Sequence, residues 1–123
     1  MASTIDKVLK RTKKIKTQII SSQDYLDPDI VAVKCAEKDF HVLLTPEFEY
    51  EGRNFRVVLD GHHSLAAAKI SHQKPVFTTA NPNNIEGFEL VNEGDRGVAE
   101  FLRIHYNGAD WWNIATGGPA TWS

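Results

Sequence analysis

The sequence predicts one small α/β domain, and three observations carry that prediction. The chain has 123 residues and a mass of 13.8 kDa, enough for one domain with its own core. Short β-branched runs recur between turn signals: IKTQII, FHVLLTP, FRVVLD and KPVFTT. Two helical patterns interrupt them, one alanine-rich and joined to a strand without a linker, the other amphipathic and near the C-terminus. With 41% hydrophobic and 24% charged residues, the composition is that of a globular protein, which excludes a disordered or fibrous chain. No apolar run approaches ~18 residues, so no membrane-spanning segment is expected. The N-terminus lacks the apolar stretch of a secretory signal. The single cysteine, Cys35, excludes an internal disulfide and a cysteine-based zinc cluster. These points predict a cytoplasmic setting.

Residues 3–14, STIDKVLKRTKK, read as a short helix. Ser3 or Thr4 sits at the N-cap, and Ile5, Val8, Leu9 and Thr12 share one face. Residues 15–20 read as a strand, and SSQDYLDPD as a loop of turn-forming residues. IVAVKC, 30–35, reads as a second strand and FHVLLTP, 40–46, as a third that stops at Pro46. FEYEGRNFRVVLD is the clearest hairpin, with its turn at residues 50–54. LAAAKISH, 65–72, is helical because its alanines carry high propensity and permit close packing. KPVFTT, 74–79, is the last strand of the body. The break at Asn81-Pro82-Asn83-Asn84 introduces a helical C-terminal segment, 84–123. In it, 84–91 reads as a weak helix and 95–105 as a better one, with Val98, Phe101 and Leu102 in a stripe. Trp111, Trp112 and Ile114 pack down, and Gly117-Gly118-Pro119 ends order.

Charge is distributed unevenly. Residues 1–20 hold six basic side chains (Lys7, Lys10, Arg11, Lys13, Lys14, Lys16) and only Asp6 in opposition. The remaining 103 residues hold eight basic and fifteen acidic groups, and the whole carries −2. The basic arm is open to two readings, a solvated helix face or a contact for phosphates. The acidic body argues against broad, non-specific duplex binding.

The chemistry concentrates in Val57-Val58-Leu59-Asp60-Gly61-His62-His63-Ser64-Leu65. A strand that turns directly into a helix presents free N–H groups and the positive end of the helix dipole, which together favour an anion. Gly61 permits a tight turn or a close approach. Ser64 stands where an N-cap is expected and can donate to a phosphate oxygen. His62 and His63 are adjacent, so one faces the site while the other packs or turns away; an imidazole there can bind phosphate or move a proton. Asp60 can orient a histidine or hold a divalent ion. The candidate catalytic residues are Asp60, His62 and His63, and the candidate phosphate ligands are Gly61, His62, His63 and Ser64. No zinc site is expected, because a third ligand would have to come from His41 or His105 elsewhere in the chain.

The stretch FRVVLDGHHSLAAAKISHQKPVFTTA resembles the signature of the ParB/sulfiredoxin superfamily: a strand, an Asp-Gly-His-His turn, an alanine-rich helix and a short strand. The upstream strands, including DPDIVAV, fit the same pattern, so the resemblance covers roughly residues 15–80. It implies a ParB/sulfiredoxin-like mixed sheet, with a nucleotide or nucleic-acid phosphate held at the 60–64 turn. It further implies nucleotide or phosphodiester hydrolysis, with Mg²⁺ accompanying a nucleotide. Gly61 and His63 match the phosphate-gripping glycine and histidine of that superfamily. His62 stands where sulfiredoxin has its cysteine, so that cysteine chemistry is ruled out here. Ser64 departs from the usual arginine, replacing a bidentate cation with one neutral hydroxyl. Arg53, Arg56, Lys69 or an N-terminal lysine would then have to supply the missing charge. The alternative is a non-catalytic factor that binds a protein or DNA partner, of the kind that accompanies mobile elements.

The remaining candidates are weaker. Glu47, Glu49 and Glu51 alternate on one strand face, a solvated row with Phe48 and Tyr50 turned inward. Trp111 and Trp112 either pack or stack on a base. Cys35 reads as a small buried apolar residue, and His41 as a strand-surface histidine.

Overall fold

The computed structural model describes residues 17–23, 26–106 and 110–120. The helix expected over 3–14 and the start of the first strand lie outside these residues. Among the described residues six strands form one mixed sheet: β1 (Gln18–Ser21), β2 (His41–Leu44), β3 (Phe48–Tyr50), β4 (Arg53–Asp60), β5 (Val76–Thr79) and β6 (Trp112–Asn113). Within the same residues three α-helices accompany it, α1 (Pro28–Glu37), α2 (His62–Ile70) and α3 (Gly94–Ile104), with 3₁₀ turns at Pro82–Asn84 and Phe88–Asn92. The architecture is therefore α+β with a mixed sheet, as the alternation of short strands and helices predicted.

The strands run in the order β5-β2-β4-β1-β6, with β3 also paired to β4. The β1–β4 and β2–β5 pairs are parallel; β2–β4, β3–β4 and β1–β6 are antiparallel. β2 and β3 follow one another along β4, and Pro46, with no N–H, marks the break between them. Thr45 repairs this break. Its N–H donates to the Val57 carbonyl at 3.0 Å, and its hydroxyl accepts the Val57 N–H at 3.0 Å.

The period-2 alternation of β4 sends Phe55 and Val57 to one face and Val58 to the other. The first face meets Ile20, Phe48, Ile85, Phe88, Val98, Phe101 and Leu102. Phe101 is the centre of this cluster, with edge-on ring contacts to Phe48 at 5.8 Å and Phe88 at 5.3 Å. α3 reaches it through Val98, Phe101 and Leu102, all buried at the spacing of one helix face. The other face is smaller: Val42, Leu44, Val58 and Leu65, the last from α2.

Four expectations are corrected. Residues 30–35 are not a strand but part of α1. The Asp27 carboxylate accepts the Asp29 N–H at 2.9 Å, Pro28 occupies the first turn, and Lys38 closes the helix at φ 53°. That start signal outweighs the β-branched Ile30, Val31 and Val33. The helix expected over 65–72 begins three residues earlier and ends at Ile70. The weak helix expected over 84–91 is replaced by the two 3₁₀ turns, which begin at Pro82. Finally, the C-terminal segment is helical only in α3. Trp112 and Asn113 add an antiparallel edge strand to β1. Gly117-Gly118-Pro119 turns the chain back on it, with the Asn113 N–H bound to the Gly118 carbonyl at 2.8 Å and the Ala120 N–H to the Trp111 carbonyl at 2.9 Å.

Candidate functional site

The junction between β4 and α2 is fixed by its glycine. Gly61 has φ +96°, and a Cβ there would lie 2.4 Å from the His41 carbonyl oxygen and 2.8 Å from Val42 Cα. Both the backbone conformation and the close approach of β2 thus exclude a side chain. Gly61 is also the N-cap of α2 and offers no side-chain acceptor to the first turn. Its carbonyl accepts the Leu65 N–H at 2.8 Å, while its own N–H donates to Asp60 Oδ1 at 2.8 Å. The helix therefore starts without a side-chain cap, and its positive end is left to the surroundings. A cleft of about 510 Å³ opens over this turn, lined by Asp60, Gly61, His62, His63 and Ser64 together with Lys34, Asp39 and His41.

The turn residues differ in availability. Asp60 is exposed; Gly61, His62 and His63 are half-buried. Ser64 is 2% exposed and occupies the third helical position rather than the N-cap, which corrects its expected role. His63 Nε2 accepts the backbone N–H of Asp27 at 3.1 Å, so it ties α2 to the start of α1. Burial lowers the His62 pKa below the ordinary histidine range; Asp60 opposes that shift and His63 adds to it. His62 is therefore a neutral imidazole at pH 7, able to accept or donate a proton according to its tautomer.

None of the three body cations expected to replace the arginine lines the cleft. Arg56 donates to the Thr45 carbonyl and the Thr79 hydroxyl, and Lys69 donates to the Ile114 carbonyl at 2.7 Å. Arg53 sits at the other end of β4, opposite Tyr50. The N-terminal lysines lie outside the described residues. Lys34 from α1 is the cation that does line it, a residue the sequence reading missed because 30–35 read as a strand. Its Nζ meets Asp39 Oδ2 at 2.9 Å, which raises the lysine pKa and lowers that of the aspartate, chiefly through this hydrogen bond. With neutral imidazoles, Lys34, Asp39 and Asp60 give the lining a formal charge of −1.

Among the described residues no group of three or more His, Cys, Asp or Glu side chains is placed to hold a metal ion. His41 is exposed near Asp39, and His105 Nε2 lies 2.9 Å from the Glu86 carbonyl oxygen. Cys35 Sγ donates to the Ala67 carbonyl at 3.8 Å, where α1 packs on α2. Glu47, Glu49 and Glu51 are exposed while Phe48 is buried, as the alternation predicted. Glu47 accepts a hydrogen bond from the Thr17 hydroxyl. Trp111 packs against the larger core cluster and Ile114 against the smaller, and the Trp112 indole N–H is buried with no partner among the described residues. Among the described residues no helix is long and apolar enough to cross a membrane.

Fold and cleft together define the class: an α+β domain whose sheet delivers an uncapped helix N-terminus to a polar cleft. No family model, curated protein or solved structure matches the chain.

Proposed function

We propose that this protein binds a phosphate group, carried by a nucleotide or a nucleic acid, at the Asp60–Ser64 turn. The observation that carries the reading is the side-chain-free cap at Gly61, which leaves the first turn of α2 uncapped beneath the cleft. The resemblance of 55–80 to the ParB/sulfiredoxin superfamily supports the same site and, with it, a ParB/sulfiredoxin-like fold. In a hydrolytic version of this reading His62 handles the proton. Asp60 would hold Mg²⁺ brought in with a nucleotide, and such an ion would offset the negative lining. A cytoplasmic setting belongs to this proposal and rests on the cysteine usage.

Three observations favour a second reading, a non-catalytic factor for a protein or DNA partner. Ser64 is buried where the superfamily carries arginine, and the cleft cation is already paired with Asp39. α1 also exposes Ile30 and Val33 at the spacing of one helix face, and Leu26 just ahead of the helix is exposed too.

A thermal-shift panel of nucleotides, with and without Mg²⁺, separates the two. A ligand of the native state raises the melting temperature. The phosphate reading expects such a rise, and expects His63→Ala to reduce it; no rise with any nucleotide favours the interaction factor. For cleavage, wild type must nick plasmid and the His62→Ala/His63→Ala double variant must not. Equal nicking by both removes the hydrolytic version.

A further inference from the structure

The first turns of α1 and α2 meet through one imidazole. Asp27 is used twice there: its carboxylate accepts the Asp29 N–H at 2.9 Å, and its own N–H donates to His63 Nε2 at 3.1 Å. A backbone N–H can only donate, so Nε2 must present its lone pair and the ring proton must sit on Nδ1. We propose that Asp27 is a positioning residue for the phosphate site, its backbone N–H fixing His63 as the neutral Nδ1–H tautomer. Nδ1–H is then the only ring donor left for a phosphate oxygen. This inference rests on the phosphate reading and deepens it, because it assigns which atom of His63 meets the ligand and in what protonation state.

A proton on Nε2 would set two donors face to face across 3.1 Å. The site therefore uses His63 as an oriented neutral donor, and Lys34 is the cation within the lining. A backbone group that selects the tautomer of a binding histidine also couples the ligand to the seating of α1.

The test uses the full chain. The ring ¹⁵N spectrum of His63 without ligand should show a protonated Nδ1 and an unprotonated Nε2, the latter coupled to the Asp27 amide. A neutral Nε2–H tautomer or an imidazolium at pH 7 overturns the proposal. Inorganic phosphate should then shift the Nδ1 resonance and leave the Asp27 amide hydrogen-bonded; loss of that bond on binding also overturns it. His63→Gln keeps one acceptor and one donor and should keep phosphate binding within about threefold. His63→Leu should lose about tenfold, the worth of one donor. His63→Lys should lose binding as well, since it offers charge but no acceptor for Asp27, and equal or tighter binding by this variant refutes the role. The predicted tautomer with no phosphate-induced shift at all refutes the phosphate reading and the donor role together, while the tautomer assignment stands.

Discussion

Among the described residues, replacing Gly61 by alanine should damage this protein more than any other glycine-to-alanine change at a turn. The left-handed backbone costs an L-residue about 1–2 kcal/mol. The new methyl would stand 2.4 Å from the His41 carbonyl oxygen and 2.8 Å from Val42 Cα, both backbone atoms of β2 that cannot swing aside. Pushing that strand away costs about 1–3 kcal/mol, as overpacking does elsewhere. The expected loss is therefore about 2–5 kcal/mol. For a domain of this size that corresponds to a fall in melting temperature of about 8–20 °C. Gly52 is the control: its φ is +78°, but nothing lies within 4 Å of its Cβ position. Gly52→Ala should cost only the conformational part, about 1–2 kcal/mol. Urea unfolding of the two variants, read at equal m-value, isolates the contribution of the close approach. Equal losses in the two variants would refute the claim that β2 is pressed against the turn.

Phe101→Ala should cost about 3–5 kcal/mol by calorimetry, because it empties the centre of the larger cluster. Asp27→Ala should cost about 1 kcal/mol through the lost cap of α1, and a helix insensitive to this change would not be started by Asp27. Burial lowers the His62 pKa in the fold, so the unfolded chain binds the proton more readily. The stability this confers is present above the unfolded histidine pKa of about 6.5 and is lost as the pH falls through the folded value. The denaturation midpoint should accordingly drop between pH 7 and pH 5, and His62→Gln should flatten that slope. Asp39→Asn should release Lys34 and raise phosphate affinity about two- to fivefold at low salt. Unchanged affinity would mean that the lysine does not face the ligand.

The strands around the hairpin were legible because alternation and turn chemistry agreed there: Phe48, Phe55 and Val57 point inward as their spacing demands. α3 was legible from the stripe of Val98, Phe101 and Leu102. α1 was misread because three β-branched residues in six suggest a strand, while the decisive signal, Asp27-Pro28 followed by Asp29, precedes them. That one error hid Lys34 and the Asp27–His63 bond, since only a helix brings both to the turn. The edge strand at Trp112–Asn113 was invisible locally; two residues carry no periodicity, and their place is set by pairing with Ile20 and Ser21. The turn residues themselves were legible, as neighbours in the chain, but the burial of Ser64 was not, because it depends on the close packing of α2 against the sheet.

The most direct test of the account follows the backbone amides of the chain while inorganic phosphate and then a magnesium nucleotide are titrated in. Saturable shifts concentrated at Gly61, His62, His63 and Ser64 are the predicted result. Shifts confined to the lysines of residues 7–16, or none at the start of α2 at millimolar ligand, would contradict it.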